Sequence, residues 1–470
     1  MTMKNEDRIQ PYAKNPHYWQ YKGEPVLLLG GSKTDHIFLA DELEAHLDEM
    51  VAVGANFVRC TMSQREPIEM KPHKLLPDKT FDLEQWNEEY WSPFEKMLAW
   101  TAARDIFVQI EVWDRFDVSG SHWQDSPWNP GRNVNYSYEE TGFAEEYPDP
   151  PGKDKQPFYH SIPGMPNYDV KLDLIRGYQE RFVATILSYS LDHGHVLYCM
   201  DNETSTPAAW GQYWMQYIKD RAAEKDALVY TTDMFDDGWK GEEAEHIPVL
   251  FDNPDAYTFA DISQVNSRNF HELHWQRMRW LVENVCRHPR PVNNVKIYGG
   301  GYARFGTGGL EDGIQRFLRN VIGGCAGVRF HRPRSGNGLG ERAAACIRAA
   351  RALDGAIKMW ELEPHMELLV DCAPNQAYVA AQPGEQYAVY LPTGGEAHLD
   401  LREVEGTFDL RWLSVSEGEW VGQRINVLEG GKVVRLGARY DLQPYRHTDD
   451  GPLYAGGWIA VITRPSECGS

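Results

Sequence analysis

Hydrophobic positions follow two different periods along residues 1–364. Continuous apolar runs alternate with segments in which apolar residues recur at helical spacing, as in residues 39–54. Continuous apolar strands separated by helices are typical of a parallel sheet covered by helices on both faces. Eight such strand–helix units predict a (β/α)8 barrel, with an open doubly wound sheet as the alternative. The predicted strands are residues 25–32, 55–63, 106–114, 195–203, 227–234, 257–266, 292–300 and 326–333.

The predicted helices follow these strands, although the fifth helix is poorly marked. Two long segments, residues 115–168 and residues 235–255, interrupt the alternation after the third and fifth strands. We expect these two segments to wall a pocket, which favours short substrate chains or attack at chain ends. The marked helices are residues 39–54, 86–104, 170–192, 208–224, 270–287, 311–322 and 341–358.

The pattern changes at about residue 365. Stretches such as "QYAVYLP" and "WIAVIT" alternate at period two and are separated by turn residues. This alternation predicts antiparallel strands with one buried face. We therefore predict a barrel domain over residues 1–364 and a small β-sandwich domain over residues 365–470.

Composition narrows the classes of function. The 470 residues carry a formal charge of −22, so the overall field disfavours binding to nucleic acid or to an anionic membrane. No apolar run approaches the length of a membrane span, and the first residues have no apolar signal core, so we expect a cytoplasmic protein. The first strand lacks a G-x-G-x-x-G loop after it, and the acidic stretch "DMFDDGW" lacks EF-hand spacing. We predict neither a cofactor nor a metal site, and the oligomeric state stays open.

Catalytic side chains of a (β/α)8 barrel lie at the carboxyl ends of its strands. These positions carry many polar and ionisable residues, and the following loops carry aromatic ones, a combination that suits a sugar ring. The aromatic residues are Trp113, Trp123, Trp128, Tyr136, Trp239, Tyr298 and Tyr302. The residues expected to bind substrate are Asn202, Arg59, Lys33, His36, Glu111, Trp113, Asp114, Asp233, Gln264, Tyr302, Arg329 and Arg332.

The stretch "YCMDNETS" places Asn202 and Glu203 at the end of the fourth strand. This pair resembles the Asn-Glu pair of the retaining (β/α)8 glycoside hydrolases of clan A, and "ANFVRC" around Arg59 resembles their second strand. The resemblance implies that Glu203 is the general acid/base, that Asn202 binds a sugar hydroxyl and that Arg59 braces the nucleophile. The stretches "NPHYWQYKGEPVLLLGGS" and "AYVAAQPGEQYAVYLPTGGEAHLDL" more closely resemble the apiosidase-like group, whose members carry a β-sandwich labelled a collagen-binding domain.

A glycosidic oxygen leaves only when it is protonated, so one carboxylic acid must stay neutral near pH 7. Aromatic neighbours could raise the pKa of Glu203 by desolvation and so suit it to this role. A second carboxylate is needed on the opposite face of the sugar, as nucleophile or as base.

The end of the seventh strand lacks this second carboxylate. The family pattern has a glutamate there, whereas "PVNNVKIY" places Lys296 at that position, followed by Tyr298. Lys296 and Arg59 would then be two cations facing one another, and strand eight adds Arg329, His331 and Arg332. Buried like charges are costly without a partner. Either nearby acids, from among Glu111, Asp114 and Asp233, neutralise this cluster, or the substrate brings the negative charge. The second option predicts an anionic oligosaccharide, with a uronate or sulfated sugar, as the substrate.

Three mechanisms remain open, with Glu203, Lys296, Tyr298 and His331 as the candidate catalytic residues. A hydrolase would recruit another acid, from among Asp233, Glu111 and Asp114, and would invert configuration. A uronate lyase would use Lys296, Tyr298 or His331 as base and would neutralise the uronate with arginines. A barrel without catalytic activity would only bind carbohydrate.

Overall fold

A computed structural model describes residues 4–147, 156–300, 306–422, 426–437, 445–448, 451–454 and 456–465. Its first three strands form a small antiparallel sheet, β1 (Gln10–Tyr12), β2 (Asn15–Tyr21) and β3 (Glu24–Val26). This sheet covers the amino-terminal end of the barrel, where the Trp19 indole Nε1 donates to Asn293 Oδ1 at 2.9 Å. The Trp19 ring also packs edge-on against Tyr230 and Phe259, just before two barrel strands. Aromatic side chains around Trp19 therefore cover the amino-terminal end of the barrel, opposite to the carboxyl ends of its strands.

Eight parallel strands form the main sheet and confirm the predicted (β/α)8 barrel. Their burial on both faces explains the continuous apolar runs. A separate hairpin, β6 (His73–Leu75) and β7 (Phe81–Trp86), lies between the second and third barrel strands. In order of hydrogen bonding, the barrel strands are β10 (Thr231–Thr232), β9 (Val196–Asn202), β8 (Phe107–Asp114), β5 (Phe57–Thr61), β4 (Leu28–Gly31), β13 (Gly327–Phe330), β12 (Val292–Ile297) and β11 (Ala260–Asp261).

The fifth and sixth strands are much shorter than predicted, at two residues each. Threonine hydroxyls take over part of the pairing between them. The Thr231 N–H donates to Thr258 Oγ1 at 2.8 Å, and the Asp261 N–H donates to Thr232 Oγ1 at 3.2 Å. Only one long backbone bond, from Phe259 N to Thr231 O at 3.5 Å, joins the same edges. The barrel is therefore closed mainly by side chains at this seam.

The seven marked helices are present: five are shortened by up to four residues at an end, one agrees at both ends, and one begins a residue earlier than predicted. The helix Glu88–Ala102 begins where it does because Asn87 caps it: Asn87 Oδ1 accepts the Glu89 N–H at 3.1 Å. The predicted gap at the fifth helix is filled by a helix of only five residues. Among the described residues, no helix combines the length and the apolar character that crossing a bilayer requires. The helices are α1 (Leu43–Ala52), α2 (Glu88–Ala102), α3 (Gly120–Gln124), α4 (Tyr138–Thr141), α5 (Asp173–Ser190), α6 (Ala208–Glu224), α7 (Pro248–Asp252), α8 (His271–Val285), α9 (Leu310–Ile322) and α10 (Glu341–Asp354).

Antiparallel strands follow the barrel, as the period-two pattern predicts. Tyr378 and Ala380 pack with the barrel core, while Val379 and Ala381 face a second apolar core inside the C-terminal region. The first strand of this region begins at Glu363. Its strands are β14 (Glu363–Pro364), β15 (Leu369–Val370), β16 (Tyr378–Gln382), β17 (Gln386–Leu391), β18 (Glu396–Asp400), β19 (Thr407–Ser414), β20 (Glu419–Trp420), β21 (Asn426–Glu429), β22 (Val433–Gly437), β23 (Tyr445–Thr448), β24 (Gly451–Tyr454) and β25 (Trp458–Thr463).

Two sheets build this C-terminal sandwich. The larger sheet has the order β14-β16-β17-β25-β19-β20, with β21 also paired to β19, and the smaller sheet has the order β15-β18-β22. The larger sheet is apolar on both faces because it lies between the barrel and the smaller sheet. It fixes the C-terminal region against the barrel.

Candidate active site

A cavity of about 820 Å³ opens at the carboxyl ends of the barrel strands. Strand ends supply its floor, and the loops after the strands supply its walls. The residues that line it are Arg59, Arg65, Arg115, Phe116, Asn202, Glu203, Asp236, Trp239, Gln264, Ser267, Arg268, Lys296, Tyr298, Thr307, His331, Arg332, Arg334 and Ser335.

Glu203 occupies a strained position at the end of β9. Its φ angle is 56°, in the left-handed region that a residue with a side chain rarely adopts. The next peptide is held in place, since the Thr204 N–H donates to the carbonyl of Met234 at 2.7 Å. Helix α6 begins only at Ala208, so Glu203 is not a helix-entry residue. Strain of this kind costs about 1–3 kcal/mol and is concentrated at functional sites.

Lys296 forms an ion pair with Glu203. Its Nζ lies 2.7 Å from Glu203 Oε1 and also donates to Asn202 Oδ1, and the Tyr298 hydroxyl donates to the same Glu203 oxygen at 3.1 Å. The Lys296 side chain is 1% exposed and that of Glu203 is 23% exposed. The lysine that replaces the expected carboxylate therefore binds the remaining one.

This ion pair corrects the expectation that Glu203 is a neutral acid. Burial alone would raise the pKa of Glu203, but the Lys296 ammonium outweighs it and holds the pKa well below its usual range. Burial lowers the pKa of Lys296 and raises the pKa of the Tyr298 phenol well above its usual value. Glu203 is consequently ionised at neutral pH, which suits a base or a nucleophile better than a proton donor.

Arg59 is balanced by two buried carboxylates. Its Nε pairs with Glu111, its Nη1 lies 2.8 Å from Asp35 Oδ2, and its Nη2 donates to Asn202 Oδ1 at 2.8 Å. The Thr61 hydroxyl also donates to Glu111, at 3.2 Å. The sequence had suggested two uncompensated cations at this point, and Asp35, which it did not single out, removes that problem.

Asp35 also gathers the basic residues of the eighth strand. It pairs with Arg332, and its Oδ1 lies 3.4 Å from Arg329 Nη2 and 3.6 Å from His331 Nδ1. Burial would raise the pKa of Asp35, but Arg59 and these neighbours hold it well below its usual range. Burial lowers the pKa of His331 well below its usual value, so its imidazole is neutral at pH 7.

Eight of the residues predicted to catalyse or to bind substrate meet at the cavity, together with the predicted rim aromatic Trp239, and seven others do not line it. The eight are Arg59, Asn202, Glu203, Gln264, Lys296, Tyr298, His331 and Arg332. Tyr302 lies outside the described residues. The seven that do not line the cavity are Lys33, His36, Glu111, Trp113, Asp114, Asp233 and Arg329.

Two of these seven lie away from the cavity for clear reasons. The Lys33 side chain is 60% exposed and pairs with Glu49 at 3.1 Å on the surface. The Trp113 ring is buried among other aromatic rings, with the Phe158 and Trp214 centroids 5.4 and 5.3 Å away. Neither residue is placed to bind a sugar, which corrects the sequence prediction. The rim aromatics Trp123, Trp128 and Tyr136 are buried as well.

The other residues support the site from behind. Glu111 braces Arg59, Asp114 Oδ2 accepts bonds from Asn202 Nδ2 at 2.8 Å and from Arg65, and Arg329 donates to Ser32 and to the Val295 carbonyl. His36 Nε2 lies 3.6 Å from Glu66. Asp233 is buried and accepts the N–H groups of Asp201 and Met234. The acids expected to replace the missing nucleophile, Asp233, Glu111 and Asp114, are therefore all engaged below the cavity.

Loops contribute cavity residues that the sequence reading did not select. Arg115 Nη1 lies 2.7 Å from Asp236 Oδ2 and 3.1 Å from Ser205 Oγ, and its guanidinium lies 5.1 Å from the Phe116 ring centroid. Their positions just after strand ends could have marked Arg115 and Phe116 as candidates. The conformation of the loops, which turns their side chains toward the cavity, could not be predicted from the sequence. The cavity residues that the sequence reading did not select are Arg65, Arg115, Phe116, Asp236, Ser267, Arg268, Thr307, Arg334 and Ser335.

The cavity is basic although the protein is acidic. Among the described lining residues, seven are arginine or lysine and two, Glu203 and Asp236, are acidic. Arg268 lies at the mouth and its guanidinium is 4.3 Å from the centroid of the Trp239 ring, which is also a lining residue. Five of these seven cations have a carboxylate partner in the structure, namely Arg59, Arg65, Arg115, Lys296 and Arg332, so the wall is rich in basic groups whose charge is largely compensated.

Asp236, Asp237 and His246 are near enough to suggest a cation site, since their ligand atoms lie within 4.8 Å of one another. The Asp237 oxygens are already occupied. Oδ2 accepts the N–H groups of Glu245 and His246 at 2.7 and 2.8 Å, and Oδ1 accepts the Ile247 N–H at 3.2 Å. We therefore assign Asp237 to loop geometry.

Known proteins share the fold of this chain at low sequence identity. Residues 78–237 match the model of a family described as a domain of unknown function, DUF6298. No curated protein matches the chain. A glycoside hydrolase family 5 structure from Bacteroides vulgatus ATCC 8482 is similar with a TM-score of 0.62 at 11% identity, covering 99% of this chain and 96% of that one. A second structure, titled glycoside hydrolase, has a TM-score of 0.61 at 10% identity and covers 99% of both chains. At this identity, the likeness shows a shared fold along nearly the whole chain.

Proposed function

We propose that this protein cleaves glycosidic bonds in an oligosaccharide that carries uronate or sulfate groups. The observation that carries the proposal is an ionised, conformationally strained Glu203 in a basic cavity at the carboxyl end of the barrel. That end is where barrel enzymes place their chemistry. The similar structures titled glycoside hydrolase share the fold and support the reaction class.

The cavity suits a short anionic sugar chain. Its volume of about 820 Å³ lies within the range of about 300–1,000 Å³ typical of small-molecule sites. Arg65, Arg115, Arg268, Arg332 and Arg334 line it with planar guanidinium groups, which match carboxylate and sulfate oxygens. Arg65, Arg115 and Arg332 already have carboxylate partners, whereas Arg268 has none among the described residues and is the guanidinium best placed to meet an anionic group of the substrate.

In this proposal Glu203 acts from the ionised state. It takes a proton from the attacking water, or attacks the sugar itself, on the face opposite to the leaving group. Lys296 keeps the carboxylate charged, and Asn202 fixes the lysine. Asn202 is in turn held by Arg59 and Asp114, so residues from the ends of four strands, β5, β8, β9 and β12, position the Glu203 carboxylate.

A uronate lyase is the second candidate, because Lys296 is a buried amine with a lowered pKa beside Tyr298. In β-elimination the neutral amine would remove the C5 proton, and Tyr298 would protonate the leaving oxygen. The ion pair with Glu203 favours the charged amine, which opposes this role. Hydrolysis is therefore the better-supported reaction.

One incubation separates these possibilities. The protein is mixed with neutral, uronate-containing and sulfated oligosaccharides, and reducing ends are followed together with absorbance near 235 nm, where unsaturated uronates absorb. We expect reducing ends without new absorbance, on anionic members only, with loss of activity in Glu203→Gln and no loss in Glu242→Gln, an exposed charge change on the loop after β10. Absorbance that rises with reducing ends would establish the lyase. Binding without cleavage would indicate a carbohydrate-binding barrel.

A further inference from the structure

We propose that Asp236 is the proton donor to the leaving glycosidic oxygen, with Glu203 as the ionised partner. This inference rests on the proposed hydrolysis and assigns the acid that the reaction requires. Among the lining residues that the structure describes, Glu203 and Asp236 are the two carboxyl groups, and Lys296 occupies one oxygen of Glu203. The remaining carboxyl group of the cavity wall is therefore that of Asp236.

The geometry leaves one oxygen of Asp236 available. Oδ2 accepts from Arg115 Nη1 at 2.7 Å, while Oδ1 accepts no hydrogen bond from any residue that the structure describes. The side chain is 27% exposed and borders the cavity, so a substrate oxygen can reach it. Asp236 is also tied to the Glu203 segment, because its N–H donates to the Thr204 carbonyl at 3.0 Å. Hydrogen-bonded neighbouring backbone segments thus hold the two carboxyl groups at the cavity.

The charges around the two groups divide their roles. Burial raises the pKa of Asp236, the Arg115 guanidinium opposes this effect, and the carboxylates of Asp237 and Glu203 add to it, with a net rise. His246 lies nearby and bonds to Asp237 through Nδ1 at 3.2 Å. The Lys296 ammonium instead lowers the pKa of Glu203. Two carboxyl groups whose environments separate them in this way are a proton donor and a base.

The resulting step balances. The Asp236 carboxyl gives its proton to the glycosidic oxygen as the C1–O bond breaks, and the bonding electron pair stays with that oxygen. Water forms the new bond to C1 and loses its proton to Glu203. Asp236 ends as a carboxylate beside Arg115 and Glu203 as a carboxylic acid, and exchange with solvent restores both.

The test compares two leaving groups on the sugar that the wild type is found to cleave. One substrate is the natural oligosaccharide, and the other is the dinitrophenyl glycoside of its cleaved sugar, whose leaving group departs without protonation. We expect Asp236→Asn to lower kcat/KM by about 10²–10⁴ on the oligosaccharide, the usual contribution of a general acid, and by less than tenfold on the dinitrophenyl glycoside. Asp236→Asn should also flatten the high-pH fall of the rate. Glu203→Gln should lower the rate on both substrates, and Glu242→Gln should lower neither.

Three outcomes are informative. An equal loss on both substrates, or near wild-type activity on the oligosaccharide with an unchanged pH profile, would overturn the role of Asp236 and leave hydrolysis standing. A wild type that cleaves no member of the oligosaccharide panel would overturn the proposed function and, with it, this role. Because asparagine retains an acceptor for Arg115, a thermal unfolding midpoint equal to that of the wild type separates a lost proton donor from misfolding.

Discussion

Replacing Lys296 with methionine removes one partner of the buried ion pair and leaves the Glu203 carboxylate without its cation. Methionine has a similar length and no charge, so the change is mainly electrostatic. At 2.7 Å and an effective dielectric constant of about 20, the lost attraction is about 6 kcal/mol before solvation is counted. Breaking a buried pair from one side costs about 3–5 kcal/mol in measured cases. Glu203 is partly exposed, so we expect a loss of about 3 kcal/mol.

This loss is measurable by calorimetry. With an unfolding entropy of about 2.1 cal/mol/K per residue and 470 residues, 3 kcal/mol corresponds to about 3 °C in the unfolding midpoint if the chain unfolds as one unit. The loss should be larger at pH 8 than at pH 5. Without Lys296, burial is free to raise the pKa of Glu203 above its unfolded value, and a group shifted upward loses stability as the pH rises through that interval.

A double-mutant cycle decides whether this reasoning holds. Glu203→Gln also leaves a buried charge unpaired, whereas the double variant Glu203→Gln with Lys296→Met leaves none. We therefore expect the double variant to melt above the Lys296→Met variant. Additive losses, or a Lys296→Met variant that melts at or above the wild type at pH 8, would refute the ion-pair account.

Three further predictions follow from other charges. Asp35→Asn removes the partner shared by Arg59, Arg329 and Arg332 and should cost about 3–5 kcal/mol of unfolding free energy at pH 7. Because the pKa of Asp35 is lowered in the folded state, the wild type should lose this stability as the pH falls below about 4. A variant with the wild-type melting midpoint at pH 7 would contradict this prediction. Burial raises the pKa of Asp233 to about 8, so the contribution of Asp233 to stability falls as the pH rises from about 4 to 8. Asp233→Asn keeps the acceptor for two N–H groups and should raise the melting midpoint more at pH 8 than at pH 5. A change in midpoint that is the same at both pH values would disprove this prediction. Arg268→Gln at the cavity mouth should raise KM for the anionic oligosaccharide about tenfold at low salt and change stability by less than about 0.5 kcal/mol, whereas equal KM values across ionic strengths would argue against a role in attracting substrate.

Local patterns in the sequence were sufficient for the barrel and for part of its site. A strand buried on both faces needs a continuous apolar run, so residues 106–114 indicate the parallel sheet without knowledge of its neighbours. Residues 386–391 were predicted to bury one face, but they are buried on both, because the barrel and the smaller sheet cover opposite faces of their sheet. The end of a parallel strand also has a defined place at one rim, which is why Asn202, Glu203 and Lys296 could be predicted to meet. The two shortest strands were overestimated because threonine side chains replace backbone pairing at the seam, and the apolar pattern does not report such bonds.

The charge state of the site was decided by tertiary structure alone. The ion-pair partners Asp35 and Arg332 are separated by 297 positions in the sequence, and Asp236 and Arg115 by 121 positions. No local sequence pattern predicts contacts between residues so far apart in the chain. The shift in the Glu203 pKa depends on the balance between burial and one ammonium group at 2.7 Å, and neither quantity is written in a local pattern. The sequence determined which ionisable groups stand at the rim, whereas the packing of loops determined which of them are paired, buried or left facing the cavity, because electrostatic free energies depend on separation and solvent exposure in three dimensions.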